Sequence, residues 1–205
     1  MEIFDIKKAC RELYSANSKF HSVNVPEMNF LMADGKGNPN TASDYAAIVE
    51  TLYIYSYAIR ALAKEELGRV HVVAPLEGLW SAEDFSVFRK GEEDSWEWTM
   101  MIVQPEWISE EMFIRAKALA DKKKAPRAGS RVRFEAFEEG ECIQYLHIGS
   151  YDSEAPAIAE LHDVFLPSKG LQLRGRHHEI YLSDARKTDA DRLRTIIRQP
   201  VSGKN

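Results

Sequence analysis

The chain has 205 residues, of which 44% are hydrophobic, and its 27 basic and 32 acidic side chains give a formal net charge of −5. This charge argues against direct nucleic-acid binding, since proteins that bind nucleic acids usually carry a cationic excess that displaces counterions from phosphates. The sequence contains no apolar run long enough to cross a membrane. We expect no secretory signal, because the first residues are partly acidic and no apolar h-region follows them. Two cysteines cannot build a disulfide scaffold or a multi-cysteine zinc site, so we expect a cytoplasmic protein.

The first half of the chain begins with a short amphipathic stretch at residues 3–13, too little for a helix-turn-helix DNA reader. Residues 29–33 are typical of a strand that ends in the glycine-rich turn 34–39. Thr41 or Ser43 is expected to cap a long helix, whose apolar residues recur every three or four positions, and Gly68 is expected to end it. The remaining predicted elements are a strand over 70–80, a hairpin with a charged tip at 90–94, a strand over 96–103 and a helix over 109–124.

The second half repeats this order. Its predicted elements are strands over 131–137 and 141–148, a helix over 155–165, a strand over 177–182, a helical turn over 189–193 and a strand over 195–201. The sequence MIVQP at 101–105 also resembles IIRQP at 196–200.

We therefore expect an α+β fold in which two tandem strand–helix–strand–strand modules form a concave antiparallel sheet, with the helices on the other face. The two modules, at about 25–107 and 130–203, are expected to belong to one domain over 1–205. A groove at the seam between them is a natural site for a small ligand.

Alternate residues of a strand share a face, which places His177, Glu179 and Tyr181 together on one strand. Tyr145 and His147 share a face of the strand 141–148 in the same way. If the groove takes the faces richer in polar and aromatic groups, these five side chains converge there. A glutamate among aromatic rings has a raised pKa and is a usable base, and the same surroundings suit a flat cationic ligand.

Two acidic residues have an alternative interpretation. Glu77 is either a second acid of the groove or a turn residue. Glu179 is either a groove acid or an edge-strand carboxylate, for which the candidate ion-pair partners are Arg174, Arg176 and Arg198.

Several tryptophan and histidine residues also have more than one interpretation. Trp96 and Trp98 share a strand face, but the pattern does not decide whether that face lines the groove or fills the core. A two-histidine, one-carboxylate metal site could be formed by His147, His177 and Glu179, but the sequence does not show that these three side chains lie close enough to share a metal ion. We predict no metal and no cofactor. The sequence contains no P-loop, no Gly-x-Gly-x-x-Gly turn and no Gly-x-Ser-x-Gly nucleophile elbow.

Four segments together resemble the GyrI-like small-molecule-binding family. They are PLEGLW at 75–80, WEW at 96–98 with QP at 104–105, YLHIGSY at 145–151 and HHEIYL at 177–182. The resemblance extends from about residue 29 to 201 and implies a tandem of strand–helix–strand–strand modules. The LEGLW and HHEIY patterns are similar to those of cyclopropanoid cyclopropyl hydrolases, which open the strained cyclopropane ring of planar DNA-alkylating natural products of the yatakemycin and duocarmycin type.

The resemblance implies a planar hydrophobic ligand and a role in xenobiotic detoxification. Glu179 would act as a general base on water or hold it. Tyr145, placed in the groove by strand alternation alone, would donate a hydrogen bond to the conjugated carbonyl of the ligand. Trp80, Trp98 and Tyr181 would form an aromatic cage. The full set of expected ligand-binding residues is Trp80, Trp98, Tyr181, His147, His177 and Glu77.

The alternative function is that of a non-catalytic protein that sequesters a drug or binds it as an effector. Turnover of an alkylator distinguishes the two functions. The oligomeric state stays open.

Overall fold

The structure is a computed structural model that describes residues 3–81 and 95–203. Within these ranges the helices are α1 (Ile6–Ala9), α2 (Arg11–Tyr14), α3 (Ser43–Leu67), α4 (Glu110–Lys123), α5 (Ala155–Glu160) and α6 (Leu166–Ser168). The strands are β1 (Ile3–Phe4), β2 (His21–Val25), β3 (Met28–Lys36), β4 (Val70–His71), β5 (Leu76–Ser81), β6 (Glu97–Gln104), β7 (Arg133–Phe137), β8 (Gly140–Ile148), β9 (Leu171–Leu173), β10 (His177–Tyr181) and β11 (Arg194–Gly203).

One large antiparallel sheet organises the fold. Its strand order is β2-β8-β11-β10-β5-β6-β3-β7, and β9 pairs with the end of β11. The central pair is β10 with β5, and the strands follow in matching order on the two sides, β11 and β8 on one side and β6 and β3 on the other. The α+β class with a large antiparallel sheet is confirmed, and the matching order supports the proposed duplication of a strand–helix–strand–strand module.

Helix α3 covers the first half of this sheet. Its fully buried face carries Ile48, Leu52, Tyr55 and Ile59, as the three-or-four-residue rhythm predicts. Gly68 ends the helix with φ 62°, a left-handed conformation that glycine adopts without strain. The residue before the helix is Ala42, without a side-chain cap, so the predicted capping by Thr41 or Ser43 is wrong.

Several boundaries differ from the prediction. The expected strand over 70–80 is divided into β4, which pairs in parallel with β1, and β5. Pro75 lies in the break, where it needs no ladder hydrogen bond. The predicted helix over 155–165 changes at Leu161–Phe165 into a π-helical turn that leads into α6. Strands β2 and β9 were not predicted, and the hairpin tip at 90–94 lies outside the described residues.

The two faces of the sheet are covered by different parts of the chain. Helix α3 lies on one face, where Tyr45 packs edge-on against Trp98 at 5.1 Å between ring centroids. The segment that contains α1 and α2 covers the opposite face, and Arg198 donates to the carbonyl of Leu13 there at 2.6 Å. Within residues 3–81 and 95–203, no helix has the length and hydrophobicity that crossing a bilayer requires.

Candidate ligand-binding site

A cavity of about 1520 Å³ lies between α3 and α5, above the central strands β5 and β10. We call it the helix cleft. Its volume exceeds the roughly 300–1,000 Å³ of ordinary small-molecule sites, so a large ligand fits. The aromatic residues that line it are Tyr45, Tyr53, Tyr57, Trp80, Trp96, Tyr151 and Tyr181. The groove and the two helices therefore share one face of the sheet, which corrects the expectation that the helices lie on the other face.

Glu179 lies at the floor of the helix cleft, and its side chain is 14% exposed. Tyr181 donates its hydroxyl to Glu179 Oε2 at 2.8 Å, and His177 Nε2 lies 3.2 Å from Oε1. Trp80 in turn donates from Nε1 to the Tyr181 hydroxyl at 3.1 Å. The carboxylate is thus held in place by its own strand neighbours and still reaches the cavity.

Glycine at position 78 makes this close packing possible. Gly78 lies directly opposite Glu179 in the β5–β10 pair. A Cβ atom there would lie 2.9 Å from Trp80 Nε1 and 3.1 Å from the Tyr181 hydroxyl. The Leu-Glu-Gly-Leu-Trp segment therefore needs glycine at its centre so that two cleft side chains can cross the strand.

The interpretation of Glu179 as an edge-strand carboxylate is wrong, because β10 is central in the sheet. The three candidate arginines bind other groups. Arg174 donates to the carbonyl of Val201, Arg176 to the Thr99 hydroxyl and Arg198 to Glu139.

A second carboxyl group, that of Glu154, also lines the helix cleft. Glu154 is only 4% exposed, and its burial together with the charge of Glu179 raises the pKa of its carboxyl group to about 9. Glu154 is therefore a neutral acid at pH 7, able to donate a hydrogen bond. Glu154 was not among the predicted site residues; the available signal was an acid directly before Ala155-Pro156, at the start of a predicted helix.

Tyrosines complete the hydrogen-bond donors of the cleft. Burial and the charge of Glu179 raise the pKa of Tyr151 to about 12, and they raise the pKa of Tyr181 further. Both phenols therefore keep their protons at neutral pH. Their rings meet edge to face at 5.6 Å between centroids and form one aromatic corner of the cleft. Tyr151 was not among the predicted site residues.

Of the eight predicted site residues, Glu179, Tyr181, His177 and Trp80 come together in the helix cleft. Trp98 does not line it. Its ring is 1% exposed beneath α3, and its Nε1 donates to the carbonyl of Gly37 at 3.0 Å. Trp96, which shares its strand face but lies closer to the strand end, lines the cleft instead and contacts Trp80 edge-on.

Tyr145 and His147 lie on the other side of α5, at a smaller cavity of about 470 Å³. Tyr145 packs edge-on against Phe20 there, and His147 Nε2 lies 3.0 Å from the Ser153 hydroxyl. Tyr145 therefore does not line the helix cleft. His147 also lies apart from His177, so His147, His177 and Glu179 do not come together as a metal site.

Glu77 points to the opposite face of the sheet, which corrects its assignment to the groove. It is opposite Ile180, one residue out of phase with Glu179. Fully buried, it accepts from the Tyr14 hydroxyl at 2.9 Å and lies 3.0 Å from His178 Nε2. Strand alternation predicts this difference once the register between β5 and β10 is known.

Glu77 belongs to a buried ionic network that we call the back-face network. Its members are Tyr14, Glu77, Glu139, His178 and Arg198. Burial alone would lower the pKa of His178, but the two carboxylates outweigh it and raise the pKa. Burial alone would raise the pKa of Glu139, but His178 and Arg198 lower it to about 2. The network therefore holds its charges in pairs within the interior.

An aromatic cleft between two helices, with an acid at its floor and a neutral acid in its wall, is the site of a small-molecule-binding protein. The sequence model of the GyrI-like small molecule binding domain matches residues 18–202, and the chain belongs to this family. A comparison with curated proteins found no match.

Solved structures show the same fold. An uncharacterized conserved protein from Listeria innocua is 41% identical and superposes with a TM-score of 0.89, over 97% of this chain and 100% of that one. A hydrolase from Listeria innocua is 38% identical with a TM-score of 0.85 and the same coverage. The C-terminal domain of EcmrR, at 14% identity and a TM-score of 0.56 over 90% of this chain and 98% of that one, shares the fold alone.

Proposed function

We propose that this small-molecule-binding protein is a hydrolase that opens the cyclopropane ring of planar DNA-alkylating natural products of the yatakemycin and duocarmycin type. The observation that carries the proposal is the position of Glu179, held by Tyr181 and His177 at the floor of an aromatic cleft. The similarity to solved structures that are named hydrolases, at 38% and 39% identity, supports the reaction class.

In the proposed reaction, a water molecule attacks the unsubstituted carbon of the cyclopropane. The new C–O bond forms as the ring C–C bond breaks, and the electron pair of that bond moves through the conjugated system to the carbonyl oxygen. Glu179 takes a proton from the attacking water, and the carbonyl oxygen becomes a phenol by gaining a proton. The net change is the addition of one water, and no redox partner is needed.

The other cleft residues favour this step. Glu154, neutral at pH 7, donates a hydrogen bond to the carbonyl oxygen, where negative charge grows as the ring opens. Tyr145 lines the other cavity, so Glu154 takes the role that was expected of Tyr145. Trp80, Trp96 and Tyr181 stack against the planar ligand and exclude bulk water.

The test is turnover of a duocarmycin-type alkylator in excess over protein, followed by mass spectrometry of the hydrated product. Glu179→Gln keeps an acceptor for the Tyr181 hydroxyl but removes the base. We expect at least a hundredfold loss of turnover, typical of a general base, with ligand binding largely retained. Glu97→Gln is the matched control, because Glu97 is exposed and pairs only with Lys36 at 3.5 Å among the described residues. Equal loss of binding and turnover in Glu179→Gln would reject the base role.

The second candidate is a non-catalytic protein that sequesters flat cationic compounds. It is favoured by the carboxylate of Glu179 among the rings of Trp80, Trp96 and Tyr181, an arrangement that attracts cations. In that case the protein would protect DNA stoichiometrically, and no hydrated product would accumulate.

A further inference from the structure

Three buried polar atoms lie next to the first turn of α5. They are the hydroxyl oxygens of Tyr145 and Thr195 and Oε1 of Glu154, and none has a hydrogen-bond partner in the part of the chain that the structure describes. Buried polar atoms are rarely left unpaired, because the loss of their contacts with water is costly. Such a group of atoms therefore indicates a site for a small hydrogen-bonding molecule.

The strand register brings this group to the face that carries Glu179. Tyr145 on β8 is opposite Ile197 on β11, and Ile197 is opposite Glu179 on β10. Thr195, two residues before Ile197, lies on the same face opposite Tyr181. Thr195 is therefore a diagonal neighbour of both Tyr145 and Glu179, and because diagonal neighbours in a sheet lie about 7–8 Å apart, its hydroxyl lies between these two side chains.

The electrostatics agree with this placement. The Thr195 hydroxyl is close enough to the Glu154 carboxyl to favour its ionised form, although without the geometry of a hydrogen bond. Burial raises the pKa of Tyr145, and the charges of Glu154 and Glu179 raise it further. The charges of Glu154 and Glu179 therefore act on the Tyr145 hydroxyl through the protein interior.

We propose that Tyr145, Thr195 and Oε1 of Glu154 form a subsite that binds the hydrolytic water and presents it to Glu179. This proposal rests on the proposed hydrolase function. A water molecule there accepts from the two hydroxyl groups and donates to carboxyl oxygens, which gives the three or so hydrogen bonds that buried waters usually make. Tyr145 and Thr195 are positioning residues in this scheme, because they act on the ligand only through the water.

The residues of the subsite come from both cavities. Glu154 lines the helix cleft, whereas Tyr145 lines the smaller cavity beyond α5. A water held there lies beside Glu179, and the rings of Trp80, Trp96 and Tyr181 stay available to the planar ligand.

The test is steady-state turnover of a duocarmycin-type alkylator by Thr195→Val and Tyr145→Phe, which remove one hydroxyl each at nearly constant shape. We expect kcat to fall about tenfold or more in each variant, with KM unchanged, because only the water loses a contact. The matched control is Thr99→Val. Thr99 is equally buried, but it lies on the opposite face, where it donates to Asp34 at 2.6 Å.

A rise in KM at constant kcat would overturn the proposal, since the residues would then bind the ligand itself. Unchanged kinetics in both variants would overturn it as well. If the wild-type protein shows no turnover, the hydrolase function fails, and a high-resolution crystal structure decides on the subsite alone. An ordered water within hydrogen-bond distance of all three atoms would support the subsite, and no water there would refute it.

Discussion

Replacing His178 by phenylalanine tests whether the back-face network stabilises the fold. His178 joins two buried carboxylates, with Nε2 at 3.0 Å from Glu77 and Nδ1 at 2.9 Å from Glu139. In the variant, Arg198 remains beside Glu139 at 3.2 Å, but Glu77 keeps only the Tyr14 hydroxyl among the described residues. Removing one partner of a buried ion pair costs about 3–5 kcal/mol, because the remaining charge stays buried. For a chain of this size, this corresponds to a fall in Tm of roughly 6–20 °C.

The assay is chemical denaturation at pH 7, with the free energy of unfolding compared between variant and wild type. The difference in the free energy of unfolding should narrow as the pH falls toward about 2, because Glu139 then gains a proton and its ion pair with His178 is lost in the wild type as well. Lys36→Ala is the control: it breaks the exposed pair with Glu97, for which about 0–1 kcal/mol is expected. A loss below about 1 kcal/mol in His178→Phe, at the level of surface pairs, would refute the reasoning.

Three further predictions follow from packing and from pKa shifts. Gly35→Ala should destabilise the protein by about 1–3 kcal/mol or more in thermal unfolding, because the new Cβ would lie 2.0 Å from the Trp98 ring. Gly203→Ala is the control and should not destabilise it, because no atom lies within 4 Å of the position of its Cβ. The pKa of Glu139 is about 2 in the folded protein against 4.5 for the free side chain. The contribution of Glu139 to the free energy of unfolding, complete above pH 4.5, should therefore be lost as the pH falls toward 2. Glu139→Gln should flatten the dependence of this free energy on pH in that range. Turnover should decline as the pH rises through about 9, where Glu154 loses its proton, and Glu154→Gln, which keeps a donor, should remove that decline in the pH–rate profile.

Elements with strong periodicity could be predicted from the sequence. The apolar rhythm of α3 and the glycine that ends it depend only on local residues, and the repeated MIVQP and IIRQP segments mark β6 and β11, which hold matching places in the sheet. Strand β2 could not be predicted, because its alternation of exposed and half-buried residues carries little hydrophobic signal. Its place at the sheet edge depends on pairing with β8, more than a hundred residues away.

The site was partly accessible to the same reasoning. Strand alternation correctly placed His177, Glu179 and Tyr181 on one face, because a period of two needs no tertiary information. It could not place Glu77, whose face depends on the register between β5 and β10. Glu154 lies outside any strand, and its burial is created by the packing of α5 over the sheet.

The position of Glu179 and the stability of the fold are linked through adjacent residues of one strand. His178 faces the back-face network, and Glu179, the next residue, faces the helix cleft. On the paired strand, Glu77 and Gly78 divide in the same way: Glu77 faces the back-face network, and Gly78 faces the helix cleft, where Trp80 and Tyr181 pack over it. Because the network ties both central strands to the N-terminal segment through Tyr14, it limits how far either strand can slide. The carboxylate in the cleft therefore keeps its place although only side chains of its own strand bind it among the described residues.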